Sequence, residues 1–253
     1  MIQLFVSDID GCLAEPYHPY DLVAFQDLAR RVAEAEAGTG RPRFTLCSGR
    51  AYAYVEAVCQ ALGVRVPALF EAGAGLFDPV AARVSWHPAF TDEMARNLRA
   101  IRDWLDEAIR GTRLMPDLGK RTQAGIIGAD RAEVARLVPV VEQYVRAHYD
   151  GFEVLHTPFS IDVVPAVLTK AQGMAWLADY TGVPLSAIAY IGDSNGDIGA
   201  LRRVGRSYAP ANGAPEVKAI VDRVTEGALI AGVLEAYDAC TGAYEAPGHG
   251  YVP

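Results

Sequence analysis

The chain has no basic block, no long apolar run and no pair of cysteines at metal-binding spacing. Its 253 residues carry 23 Lys and Arg against 31 Asp and Glu, a formal charge of −8. The positive footprint of a nucleic-acid binder is missing, so no nucleic-acid partner is expected. No apolar run approaches the ~18 residues of a membrane span. The opening Ile2-Gln3-Leu4-Phe5-Val6 is too short for a secretory signal and reads as a strand. A cytoplasmic protein with no membrane partner is the expectation. Cys12, Cys47, Cys59 and Cys240 are scattered, and Cys47 and Cys59 sit in apolar surroundings that suit buried thiols. None of His18, His87, His148, His156 or His249 stands at ligand spacing from another candidate, so zinc is not expected.

What is present is an ordinary globular balance, 51% hydrophobic and 21% charged. The length suits a core domain with one smaller domain, or one large domain. Ile2 to Ser7 is a near-continuous apolar run, the pattern of a parallel strand covered on both faces. Leu22, Phe25, Leu28, Ala29 and Val32 recur at helical spacing and end near Gly38. Phe44 to Cys47 reads as a second strand, Ala51 to Leu62 as a helix closed by Gly63, and Val66 to Phe70 as a third strand. Late in the chain, Lys170 to Thr181 reads as a helix, with Thr169 and Gln172 forming a capping box, and Ala187 to Ile191 as another buried strand. Strands alternating with helices predict an α/β fold with a doubly wound parallel sheet of Rossmann-like type.

The middle is different. Leu98, Ile101, Leu105 and Ala108 mark one helix, and Val134, Leu137, Val141, Tyr144 and Val145 another. Pro139 should kink the second or shift its start, because interior proline costs about 3 kcal/mol. Strand-like stretches follow each helix: Thr122 to Ile127, then Phe152 to His156 and Ser160 to Val164. This predicts an inserted α+β cap domain over residues 80–164, between core segments 1–79 and 165–253.

Chemistry-bearing residues stand at the predicted strand ends. Asp8-Ile9-Asp10-Gly11 follows the first strand, where open α/β sheets bind ligands, and Gly11 lets the chain turn away without a blocking side chain. Ile191-Gly192-Asp193-Ser194-Asn195-Gly196-Asp197 adds two more carboxylates after another buried strand. Two like charges 4 Å apart cost about 4 kcal/mol at an effective dielectric of 20. A divalent cation removes that cost, and oxygen-rich ligands favour Mg2+. Ser48-Gly49-Arg50 combines a hydroxyl, a bare backbone and a helix amino end into an anion site. Lys170 has the wrong charge for the start of a helix and is better explained by an anionic partner.

Asp-x-Asp-Gly, Ser-Gly-Arg, a lone Lys and Gly-Asp-x-x-x-Asp, in this order, resemble the haloacid dehalogenase superfamily of phosphatases. The insert between Ser48 and Lys170 is similar to the Cof-type branch with an α/β cap. Phe70-Glu71-Ala72-Gly73-Ala74 and Ala211-Asn212-Gly213-Ala214 extend the resemblance over nearly the whole chain. It implies that Asp8 is the nucleophile and a magnesium ligand, and that Asp10 is the general acid and then base, lending its carbonyl to the metal. Ser48, with Gly49, and Lys170 would hold the phosphoryl oxygens. Asp193 would ligate the metal, with Asp197 and Asn195 in support. Three positions depart from the pattern: Gly196 stands where the family has asparagine, with Asn195 before it; Cys12 replaces threonine; Ala72 replaces asparagine.

A metal-dependent glycosyltransferase would also use Asp-x-Asp, but it leaves Lys170 and the second acidic motif unexplained. Receiver domains share acidic residues and a lysine but lack the insert. A catalytically silent relative has no use for Asp10. The expected partner is a small phosphorylated metabolite, a sugar phosphate first and a phosphoglycolate-like acid second. Arg50 and Asn212 in the core, with Arg113, Lys120 and Arg121 in the cap, are the candidate substrate contacts. Oligomeric state is not legible.

Overall fold

Leu4–Ser7 form strand β1, buried on both faces as the unbroken apolar run requires. The computed structural model describes residues 1–241, so His249 lies outside the described residues. After β1 come helix α1 (Leu22–Glu36), capped by the Asp21 side chain, then β2 (Arg43–Leu46) and α2 (Tyr52–Leu62). Helix α2 starts with no side-chain cap and ends at Gly63, whose φ of 71° is left-handed.

Next is an antiparallel meander of β3 (Ala68–Phe70), β4 (Gly75–Asp78) and β5 (Arg83–Trp86). The third predicted strand therefore does not extend the parallel ladder in full. It touches the main sheet through a bridge between Cys47 and Leu69 and pairs instead with β4.

Helix α3 (Asp92–Ala108), β6 (Met115–Pro116), β7 (Ala124–Ile127), α4 (Arg131–His148), β8 (Phe152–Thr157) and β9 (Ser160–Pro165) follow. Their strands form an antiparallel sheet in the order β6-β7-β9-β8. The two helices cover one face of it, packing Leu98, Ile101, Val134 and Val141 against Ala124, Ile126, Ile161 and Val163. The expected insert begins at Val80, yet β5 pairs with β4 of the preceding meander, and the insert's own apolar cluster starts in α3. Pro139 neither breaks nor shifts α4, which runs through it. It lies on the exposed face, where the carbonyl it leaves unpaired can turn to water.

The chain then returns through α5 (Lys170–Thr181), β10 (Ile188–Ile191), α6 (Ile198–Leu201), β11 (Arg206–Ala209), α7 (Pro215–Lys218), β12 (Arg223–Val224) and α8 (Leu229–Ala239). The parallel sheet has the order β12-β11-β10-β1-β2. Successive side chains of β1 face opposite layers. Phe5 joins Phe44 and Tyr237 on one side, and Leu4 and Val6 join Ile188 and Tyr190 on the other. Ser7 is level with Leu46 and Ile191, so the residues after three strands meet at one edge. Among the described residues, no helix is long and apolar enough to cross a membrane.

At the N-terminus of α5 the Thr169 hydroxyl accepts from the Gln172 amide, one half of the expected capping box. One turn on, Gly173 lies directly against Gly73, and a Cβ built on it would come 2.4 Å from the Gly73 Cα. Gly173→Ala improves local helix propensity, yet it should destabilise the fold by about 1–3 kcal/mol through overpacking. Thermal denaturation should show a melting temperature lower by about 2–10 °C; a rise would show that the two backbones are not in contact.

Candidate active site

Asp8 leaves the end of β1 and is 4% exposed. Its Oδ1 accepts from the Ile9 amide at 2.7 Å and its Oδ2 from Lys170 Nζ at 2.6 Å. Lys170 is the first residue of α5, and its Nζ also donates to Asp197 Oδ1 at 2.6 Å. The Tyr190 hydroxyl donates to the same Asp197 oxygen. Asp197 Oδ2 accepts from the amides of Asp193 and Ser194 at 3.2 and 3.0 Å and from Ser194 Oγ at 2.9 Å. With both oxygens engaged, Asp197 holds the loop and the lysine rather than facing the crevice.

Asp193 seats against the turn after β1, where Gly11 has φ 73° and a Cβ would fall 2.0 Å from Asp193 Oδ2. Only glycine permits that approach. Carboxylate oxygens of Asp8, Asp193 and Asp197 lie within 4.8 Å of one another, against one ammonium. Burial first, then the charges of Asp8 and Asp197, push Asp193 up to about 8. Burial first, then Asp197 and Asp10, raise Asp8 to about 7 against the pull of Lys170. Burial would also raise Asp197, but Lys170, Tyr190 and the Ser194 amide outweigh it and hold Asp197 below the usual range. Three acids sharing one buried base leave an excess of two negative charges. An all-oxygen donor set with that excess fits a hard divalent cation, with Asp8 and Asp193 as the side chains that would bind it.

Asp10 lies on the rim, where Arg50 grips it with two bonds: Nε to Oδ2 and Nη2 to Oδ1, each 2.6 Å. Ser48 is buried between β2 and α2, its Oγ accepting from the Arg50 amide at 3.2 Å. The position of a Cβ on Gly49 is open space, and the uncapped amino end of α2 follows directly.

The remaining predicted residues are placed less uniformly. The exposed Asn195 starts a short 3-10 turn, and its side chain makes none of the site's hydrogen bonds. Both ends of the Asn212 amide are used, donating to the Gly11 carbonyl and accepting from the Leu229 amide, so it braces the turn after β1. Arg113 is 84% exposed beside Asp130, on the α4 side of the insert. Lys120 Nζ is held by Asp162 at 2.7 Å and Asp117 at 3.3 Å. The loop carrying it rests on the core, since a Cβ on Gly119 would be 3.1 Å from the Ala51 Cβ. Arg121 stacks on Trp86 at 4.8 Å.

Two residues carry more than the sequence reading assigned them. In the sequence Tyr190 is only one residue of a buried strand, yet a phenol in an otherwise aliphatic strand must find a buried acceptor. Glu71 is 1% exposed with a left-handed φ of 47°, and it accepts from the Arg121 amide and from the Thr122 amide and hydroxyl of the insert.

Residues 137–236 match the family model for haloacid dehalogenase-like hydrolases. A phosphoglycolate phosphatase from Natronomonas pharaonis is 24% identical over 239 residues, spanning 94% of this chain and 97% of that protein. Another from Thermoplasma acidophilum is 26% identical over 228 residues, spanning 89% and 92%. A solved haloacid dehalogenase-like hydrolase from Bacteroides thetaiotaomicron shares the fold with a TM-score of 0.73 at 18% identity, over 94% of this chain and 99% of that one.

The raised acids give a pH signature. A group whose folded value exceeds its ordinary 3.8 favours folding below 3.8 and loses that contribution as pH rises through the folded value, here about 8 for Asp193. The metal-free protein should therefore lose stability between about pH 4 and pH 8. Asp193→Asn should raise the metal-free melting temperature, more at pH 8 than at pH 5, and should gain less than the parent from an added divalent cation. Melts at both pH values, with chelator and with metal, check this; a gain independent of pH would contradict the crowding of acids.

Proposed function

From its likeness to the haloacid dehalogenase-like hydrolases, whose family model matches residues 137–236, we propose that this phosphatase hydrolyses a small phosphorylated metabolite through an aspartyl-phosphate on Asp8. The observation that carries the reading is the placing of Asp8 against Lys170 at the sheet edge, with Asp193 alongside and Asp10 two residues further on. In the first step an Asp8 carboxylate oxygen attacks phosphorus while the ester P–O bond breaks. Asp10 gives a proton to the departing oxygen. In the second step Asp10 takes a proton from water, the water oxygen attacks phosphorus, and the bond to Asp8 breaks to release phosphate. Splitting the transfer this way replaces one difficult displacement by two easier ones.

Lys170, Ser48 and the open amino end of α2 surround the phosphoryl oxygens with donors and positive charge. Asp197, itself held by the Tyr190 hydroxyl, accepts from Lys170 behind the crevice. Asp8, Asp193 and the Asp10 carbonyl would hold Mg2+, which when bound neutralises phosphoryl and carboxylate charge. The residues from α3 to β9 serve as the cap over this crevice, the expected role of the insert. A protein that only binds phosphate esters would have no need of Asp10 in addition to Asp8, Lys170 and Asp193. Of the two expected substrate classes, the full-length relatives named phosphoglycolate phosphatase favour the phosphorylated acid over the sugar phosphate. A cytoplasmic location agrees with such a substrate.

Asp8→Asn should leave less than a few per cent of turnover with an unchanged melting curve, and Asp10→Asn should lower kcat by about 10²–10⁴-fold. Steady-state phosphate release checks both, and substantial turnover by the first variant would remove Asp8 as nucleophile. Exhaustive chelation should abolish activity, magnesium should restore it, and calcium, with its looser geometry, should inhibit. Full activity in a verified metal-free sample would exclude the metal site.

A further inference from the structure

Arg50 stands where the proposed mechanism is in tension with the geometry. A general acid needs a carboxyl oxygen within reach of the departing oxygen, yet both oxygens of Asp10 accept from one guanidinium at 2.6 Å. A bidentate, charge-assisted pair is among the stronger hydrogen-bonded contacts, and its geometry is specific. Arg50 is also held in place from two sides. Its guanidinium carbon lies 4.8 Å from the Tyr17 ring centre and 4.9 Å from that of Tyr54. The Tyr54 hydroxyl is bonded to that of Tyr20 at 2.8 Å. Tyr17 in turn meets the ring of Phe159, in the β8–β9 turn of the cap, edge-on at 6.0 Å. The clasp thus sits at the meeting of core and cap, beside Ala51, on which the loop of Gly119 rests.

Stacking fixes the plane of the guanidinium but leaves its hydrogen-bonding edge free to exchange one carboxylate for another. Two other basic side chains are each shared between two acids: Lys170 between Asp8 and Asp197, and Lys120 between Asp117 and Asp162. Among the described residues, the only acid paired with Arg50 is Asp10.

Resting on the reading of Asp8 as nucleophile and Asp10 as proton donor, we propose that Arg50 is a specificity-determining positioning residue with two successive partners. In the free enzyme it holds Asp10. When the departing part of the substrate bears a carboxylate, that group replaces Asp10 on the guanidinium. The freed Asp10 takes a proton from solvent and passes it to the ester oxygen as the P–O bond breaks. A neutral departing group gives Arg50 no replacement partner, so Asp10 is released only at the cost of an unmatched guanidinium. Selectivity for an acidic substrate then appears in kcat as well as in KM.

The test compares phosphoglycolate with 2-hydroxyethyl phosphate, in which a neutral CH2OH group replaces the carboxylate, using the full chain with saturating magnesium. In the parent, kcat should favour phosphoglycolate by about tenfold or more, because a site built to pair a charged group rejects the analogue lacking it. Arg50→Gln should bring the two kcat values together, and Arg50→Lys, which keeps the charge but loses the fork, should not restore the difference. Melting curves of both variants confirm that they are folded. Equal kcat values for the two esters in the parent, an equal loss on both esters in the variants, or a change confined to KM for phosphoglycolate, would overturn the exchange of partners while leaving the phosphatase intact. Hydrolysis of neither ester, nor of any other phosphate ester, by the parent would overturn the underlying function and the inference with it.

Discussion

Two buried carboxylates, a half-buried third and one buried ammonium crowd together where β1 and β10 end, and most of the surrounding architecture follows from keeping that group tolerable. The sheet register brings the two acidic turns level, so the crowding is imposed by backbone pairing. Lys170 can serve two acids only because α5 starts beside them. That position requires α5 to lie against the turn after β3 with no side chain between Gly73 and Gly173. Asp197 is made harmless by its donors, and Asp193 by a glycine that lets it sit against the backbone. What remains uncompensated is charge facing outward, which is what a cation and a phosphoryl group require.

The fold was legible wherever burial was two-sided. Leu4–Ser7 and Ile188–Ile191 have no polar alternation, and this marked them as strands of a parallel sheet covered on both faces. The acids that follow them were conspicuous because nothing in a buried strand end calls for aspartate. Partnerships across long sequence separations were not legible. Nothing in Ser-Gly-Arg says that Arg50 reaches back 40 positions to Asp10, or that tyrosines from two separate segments will stack on it. Tyr190 lay in plain sight, but its acceptor is seven residues away around a turn whose path no propensity predicts.

The cap shows the opposite balance. Its helices were readable from apolar spacing, and three of its four strands to within a residue or two; the two-residue β6 is too short to leave a pattern. Its functional face was not, because charge in a loop looks the same whether it meets solvent, a substrate or another side chain. Lys120 and Arg121 are adjacent, yet one is enclosed by two aspartates and the other lies on an indole. Pro139 belongs with these residues: the cost of an interior proline depends on whether the carbonyl it orphans can find water, and exposure is a tertiary property.

The attachment of cap to core at Glu71 has a consequence for how such enzymes diverge. Two of the three donors that meet this carboxylate are backbone amides, at positions 121 and 122. Apart from proline, a replacement at Arg121 leaves its amide in place, so the docking point does not depend on which side chain the lineage carries there. The adjoining loop can therefore accumulate substitutions that reshape the crevice while its anchorage is inherited unaltered. Substrate preference can drift from one descendant to the next without each change having to rediscover how the two halves of the protein fit together.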